Sequence, residues 1–203
     1  MALSRIEVID TSLVQIGAEP LQSESAAGAE THILTFNSIV GYCLSMNPWH
    51  WNTVTRQLPR LDAAPLRYWR YQYERPADML GAPRAYYASA DGRQPFTDVE
   101  LNDGTIQTNA EQLWLKMDKR STPDTWPAYF VTLIETALQA RFALSVREDS
   151  ALSERLEQRA FGTPQEDRRG GLMGQALGLD AQSKPSPRIN MGRDPFTSAR
   201  WES

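Results

Sequence analysis

RYWRYQYERPADML, residues 67–80, decides how the middle of the chain is read. In an extended segment successive side chains point to opposite faces, so Trp69, Tyr71 and Tyr73 share one face with Arg67, while Tyr68, Arg70, Gln72 and Glu74 share the other. Rings alternating with arginines admit two readings. A nucleotide-stacking platform needs its rings exposed beside several cations. An amphipathic strand needs only a hydrophobic core behind its aromatic face. Aromatics prefer half-buried strands, which favours the core reading. Arg75-Pro76-Ala77-Asp78 then reads as the turn that leaves the strand, with Pro76 fixing φ and Asp78 able to accept from a nearby amide.

Similar short segments lie on both sides. WNTVTRQL (51–58) alternates loosely, AYYAS (85–89) precedes Asp91-Gly92, and DVEL (98–101) runs into Asn102-Asp103-Gly104 before TIQT (105–108) and LWLKM (113–117). Asp-Gly and Asn-Asp-Gly supply the positive φ that tight turns between twisted strands demand. Residues 49–119 are therefore expected to form one small antiparallel sheet made of local pairings.

Beyond this region the apolar period is helical. Ile6, Ile9, Leu13 and Ile16 recur after Ser4, a natural N-cap, and Gly17 with Pro20 stops the pattern. Ile33, Phe36, Val40 and Leu44 mark a second helix from about Gly28, which must end at Asn47 because Pro48 disfavours helical backbone before it. The short loop between the two predicts an antiparallel pair. From Pro127, Phe130, Leu133, Ala137, Ala140 and Leu144 form one stripe, and Ile134, Leu138 and Phe142 widen it so that this helix should be buried on more than one side. Leu152, Leu156 and Ala160 predict a fourth helix cut at Phe161-Gly162. Thr163-Pro164-Gln165-Glu166 reads as a capping box opening a fifth. That helix would carry Gly170, Gly174 and Gly178 on one side. Each glycine costs about 1 kcal/mol relative to alanine in a helix interior, so the three point either to close approach of a neighbouring element, another subunit included, or to a flexible segment.

The fold class expected is α+β: an antiparallel helical bundle (residues 1–48 and 120–180) with an inserted small antiparallel β region (49–119) and an extended C-terminal arm (181–203). The arm has three prolines, few aliphatics, and four basic against two acidic residues, and it cannot build a core by itself.

A net charge of −4 and a pI near 5.3 weigh against a protein that grips nucleic acid, because that affinity comes from neutralising phosphates. The single cysteine, Cys43, permits no internal disulfide and reads as a small buried hydrophobe. No apolar run approaches the roughly 18 residues that cross a bilayer, and MALSRIEVID carries acids where a signal peptide has its apolar core. The expectation is a soluble protein made in the cytoplasm, with no membrane partner. No phosphate loop, dinucleotide fingerprint or nucleophile elbow occurs. His32, His50 and Cys43 match no zinc spacing. His32 reads as a helix-surface residue, and His50 as packed between its flanking tryptophans. No cofactor, metal or catalytic residue is assigned, and the chain is expected not to be an enzyme.

Four pieces, in this order, resemble the head-to-tail adaptor of short-tailed phages, also called tail tubular protein A. They are Ile16-Gly17-Ala18-Glu19-Pro20-Leu21 after the first helix, Asn47-Pro48-Trp49 after the second, Tyr71 to Leu80 as strand and turn, and Trp126-Pro127-Ala128-Tyr129-Phe130 opening the third helix. Asp103-Gly104-Thr105-Ile106-Gln107-Thr108 followed by Leu113-Trp114-Leu115 is similar to that family's β region. The resemblance covers residues 3 to about 160. It implies a virion protein of the tail at the portal vertex: one subunit of a ring of about twelve copies that docks on the portal protein, carries the tail nozzle protein and forms part of the DNA conduit. Double-stranded DNA would pass without specific binding, which an acidic protein suits. One departure is that Gly162-Thr163-Pro164 breaks the helix that runs long after the matching position in such proteins.

The C-terminal arm is the candidate contact element toward the portal or a neighbouring subunit. Arg188, Arg193, Phe196, Arg200 and Trp201 are of the types that dominate interface energy, and Gly170, Gly174 and Gly178 are the candidate close-approach positions beside it. Two other readings stay open: a head-completion connector of a long-tailed phage or gene transfer agent, and a nucleic-acid-binding module using Arg67, Trp69, Arg70 and Tyr71.

Overall fold

The computed structural model describes residues 3–21, 23–26, 28–65, 68–92, 94–102 and 104–183. Ser4 opens α1 (Arg5–Gln15). Its hydroxyl accepts from the Glu7 amide while the Glu7 carboxylate accepts from the Ser4 amide at 2.7 Å, so two amides of the first turn are satisfied reciprocally. These hydrogen bonds hold the Glu7 carboxyl below its usual range. Gly17, at φ +74°, takes the chain out of the helix. α2 (Ala29–Ser45) buries Phe36, Ile39, Val40, Cys43 and Leu44 and stops before Pro48. α3 (Ala128–Ser145) buries side chains around most of its circumference and packs against α1, α2, α4 (Ser150–Phe161) and α5 (Gly171–Ser183). Leu144, assigned by spacing to the buried stripe, is exposed. Val146 beside it is exposed too, although Phe142 and Ala143 of the same turn are fully buried.

The strands are β1 (Thr53–Gln57), β2 (Tyr71–Glu74), β3 (Met79–Tyr87), β4 (Val99–Asn102), β5 (Thr105–Thr108) and β6 (Trp114–Lys119). They form two antiparallel sheets, ordered β1-β6-β3 and β2-β5-β4. The first sheet pairs Thr53 with Asp118 and Thr55 with Lys116, and its β3–β6 register shifts between Leu80 and Ala85. That bulge contains Gly81 at φ +68° and Pro83, which has no amide to donate and is tolerated because β3 lies at the sheet's edge. In the second sheet, Tyr73 pairs with Ile106, and Asn102 with Thr105 across the tight turn at Gly104.

The expected fold class is thereby corrected. In place of an antiparallel helical bundle with one small sheet, the molecule is mixed α/β, with five α-helices and two three-stranded antiparallel sheets among the described residues. On the helical side, α3 is apolar on so many sides that helices gather around it. α1 packs chiefly on α3, not beside α2 as the loop length predicts. On the β side the pairing is mostly non-local. Leu115 and Met117 of β6 are fully buried, and the strand recruits β1 and β3 from far upstream, which leaves β5 to join β2 and β4. Only β4–β5 is the local hairpin that the turn residues announce.

The opening stretch is also shorter as a strand than its alternation suggests, since only Tyr71–Glu74 joins the ladder. The Arg70 amide donates to the Asn109 side chain at 3.2 Å, outside the ladder, and Pro76 follows the strand's other end. Arg67 lies outside the described residues. Tyr73 is nonetheless core, fully buried with Leu58, Met79, Ile106, Leu113, Leu115 and Met117, and Tyr71 packs against that cluster. A larger cluster fills the space among the helices, from Val8 and Leu13 through Phe36, Trp49 and Phe130 to Phe161 and Met173.

Candidate interaction surfaces

The junction after α2 is built first by Pro48, which ends the helix, and then by Trp49, which turns inward. Its indole N–H donates to the Cys43 carbonyl at 3.0 Å, and its ring meets Phe130 edge-on at 5.1 Å. Trp51 and Trp126 reach the same Phe130 at 5.0 and 5.2 Å. Two of the segments that carry the family resemblance thus converge on one aromatic cluster.

His50 does not pack between the tryptophans, which turn toward Phe130 and leave it facing α5. Its backbone amide donates to Asp180 at 3.1 Å and its Nδ1 at 2.9 Å. The Asp180 side chain, 1% exposed, also accepts from the Tyr129 hydroxyl at 3.4 Å and the Asn47 amide at 3.5 Å. Burial, with Asp180 alongside, pushes the Tyr129 phenol up to about 12. Asp180 falls on the stripe Met173, Ala176, Leu177, Asp180 of α5, the stripe that faces the core. A carboxylate on a buried stripe must find donors, and that was the signal in the sequence for this cluster.

The glycines do not form one helical stripe. The Thr163–Glu166 capping box is present, but it closes only a 3-10 turn, Pro164–Glu166, after which Asp167 and Arg168 at φ 50° and 60° end the helical path. α5 therefore starts afresh at Gly171 and leaves Gly170 outside it. Close approach does occur, and within the chain. A Cβ on Gly170 would lie 2.5 Å from the Glu166 carboxylate, one on Gly171 would strike the Arg159 carbonyl, and one on Gly174 would lie 2.6 Å from the Arg169 carbonyl. Gly178 has open space around it. Arg188, Arg193, Phe196, Arg200 and Trp201 lie outside the described residues.

α2 carries apolar surface on both flanks. Against α1, a groove of about 550 Å³ is floored by Phe36, Val40, Leu44 and Leu80 and rimmed by the Arg5–Glu24 ion pair at 2.5 Å. On the opposite flank, Leu34 is 69% exposed beside a hollow of about 460 Å³ lined by Ile39, Tyr42 and Phe161. Sequence periodicity missed both, because a stripe shows which residues leave water and not whether the covering element is complete.

Trp69 is 8% exposed and its indole donates to Glu100 at 2.7 Å, so its ring is not a stacking face, whereas Tyr68 and Arg70 are exposed. Tyr71 lies under the Arg60 guanidinium at 5.3 Å. Burial pushes the Cys43 thiol up to about 12, so it is a packed hydrophobe. His32 is half-buried, edge-on to Phe142 at 5.1 Å, and burial lowers its pKa. Among the described residues no group of three or more His, Cys, Asp or Glu is arranged to hold a metal, and no helix is long and apolar enough to cross a membrane. No protein-family model matches the chain, and neither does any curated protein.

Proposed function

We propose that this chain is a structural virion protein, a subunit of a head-to-tail adaptor ring that docks on the portal and carries the tail nozzle. The observation that carries the reading is α2: a helix with an apolar-floored groove on one flank and the exposed Leu34 beside a hollow on the other suits a subunit that covers these surfaces with sister copies or the portal. The resemblance adds support. Three of its pieces, Ile16–Leu21, Asn47–Trp49 and Trp126–Phe130, fall at the ends of helices, where they set how one element leads to the next. The nucleic-acid module is disfavoured by the burial of Trp69, which removes the central ring of its platform.

Native mass measurement and electron microscopy of the protein, alone and mixed with the portal protein encoded in the same genome, test the reading. The expected result is a small species alone and a ring-shaped complex of many copies on the portal. Failure to associate with portal particles overturns it.

A further inference from the structure

The solvent-facing side of the β1-β6-β3 sheet holds a further, polar opening. In β1, Thr53 and Thr55 share a face, and their cross-strand partners are Asp118 and Lys116. Arg84 reaches in from the edge strand, and His50 overhangs from the turn before β1. Together with Pro48 they enclose about 490 Å³.

The charges here are unevenly matched. Arg84 donates to Asp118 through Nε at 2.7 Å and through a terminal nitrogen at 2.5 Å, and the Thr53 hydroxyl lies 2.9 Å from the same carboxylate. Asp118 is thereby occupied. The Lys116 ammonium has no hydrogen-bond or ion-pair partner among the described residues. His50 is held from behind: buried Asp180 accepts from its Nδ1, so that nitrogen carries the hydrogen and the ring's orientation is fixed. A carboxylate that orients an imidazole in this way leaves Nε2 for a ligand, and that nitrogen donates to an anion when the ring is protonated, the form in which His50 and Asp180 make an ion pair. The opening thus offers a spare ammonium, an oriented imidazole edge, the Thr55 hydroxyl and the outer face of a guanidinium, drawn from three strands and a turn.

We propose that this opening binds a phosphate-type oxyanion, with Lys116 and His50 as its principal contacts and Thr55 and Arg84 beside them. A tetrahedral anion presents acceptors in several directions, which matches donors converging from separate elements better than a planar carboxylate does. The ligand is either free phosphate or a phosphomonoester, or the phosphodiester backbone of a nucleic acid. The inference does not depend on the adaptor reading, because the residues belong to the sheet and the turn before it and not to α2.

The chain has two histidines, so its imidazole NMR signals give a direct readout with His32, remote from this opening in the sequence of contacts described, as the internal control. The full-length protein is titrated at constant ionic strength with sodium phosphate in one arm and with a short DNA duplex in the other. The His50 signal should shift saturably while that of His32 stays in place. Lys116→Met, checked for native fold by circular dichroism, should weaken the response at least about tenfold, and Lys116→Arg should keep it. A response to phosphate identifies the free anion or monoester as the source; a response to the duplex alone identifies the phosphodiester. If neither titrant moves the His50 signal, or if the folded Lys116→Met protein responds as the wild type does, the site does not exist.

Discussion

Asp180 shows how one side chain can fix a junction between distant parts of the chain. Four donors from the 47–50 turn and from α3 meet on its carboxylate. Asp180→Ala would leave the His50 amide and the Tyr129 hydroxyl without their acceptor in a buried place, at a cost of about 3 kcal/mol, whereas Asp180→Asn keeps one carbonyl acceptor and should cost about half as much. Urea unfolding of both variants measures the difference. Equal stability of Asp180→Ala and wild type would mean that water satisfies these groups without the carboxylate. The position was legible in the sequence as an acid on an apolar stripe. Its partner was not, because no spacing rule connects residue 50 to residue 180.

At the scale of elements, α5 separates glycines that are required from one that is not. Gly171 has φ +53°, and a methyl group there would meet the Arg159 carbonyl at the end of α4. Gly178 sits within the helix with nothing nearby. Gly171→Ala should therefore destabilise by about 2 kcal/mol, and Gly178→Ala should stabilise by up to about 1 kcal/mol. Thermal melts of the two variants, shifted in opposite directions, would bear this out; shifts of the same sign would not. Equal spacing in the sequence concealed the difference. A 3.6-residue period assumes that the helix is continuous, and the left-handed pair Asp167-Arg168 interrupts it. Helix ends and the β4–β5 turn were legible because Ser4, Pro48 and Gly104 act locally. Strand partnership was not legible, since β6 pairs with strands that precede it by dozens of residues and alternation records only which face is buried.

For the whole molecule, charge is divided along the chain. Residues 184–203 hold four basic and two acidic side chains, against seventeen and twenty-three in the remainder. On the adaptor reading, that segment supplies aromatic and arginine anchors to a partner, and few such anchors must offset an ordering cost of about 1 kcal/mol per residue. Deleting residues 185–203 should leave a folded protein, since described residues between 3 and 177 already form two large hydrophobic clusters, yet one that no longer joins capsids. Capsids assembled with the truncated protein and still bearing tails would remove the arm from the account. Composition alone marks this segment off from the core, but it does not name what the segment touches.

The irregular margin of β3 carries a consequence for how copies can meet. With Gly81 and Pro83 breaking the register along that margin, a sister chain cannot zip its backbone onto the sheet there in an unlimited run. On the adaptor reading, copies that met at this margin would do so through side chains on shaped surfaces, and surfaces of that kind set an angle from one copy to the next and so can close on themselves after a finite number.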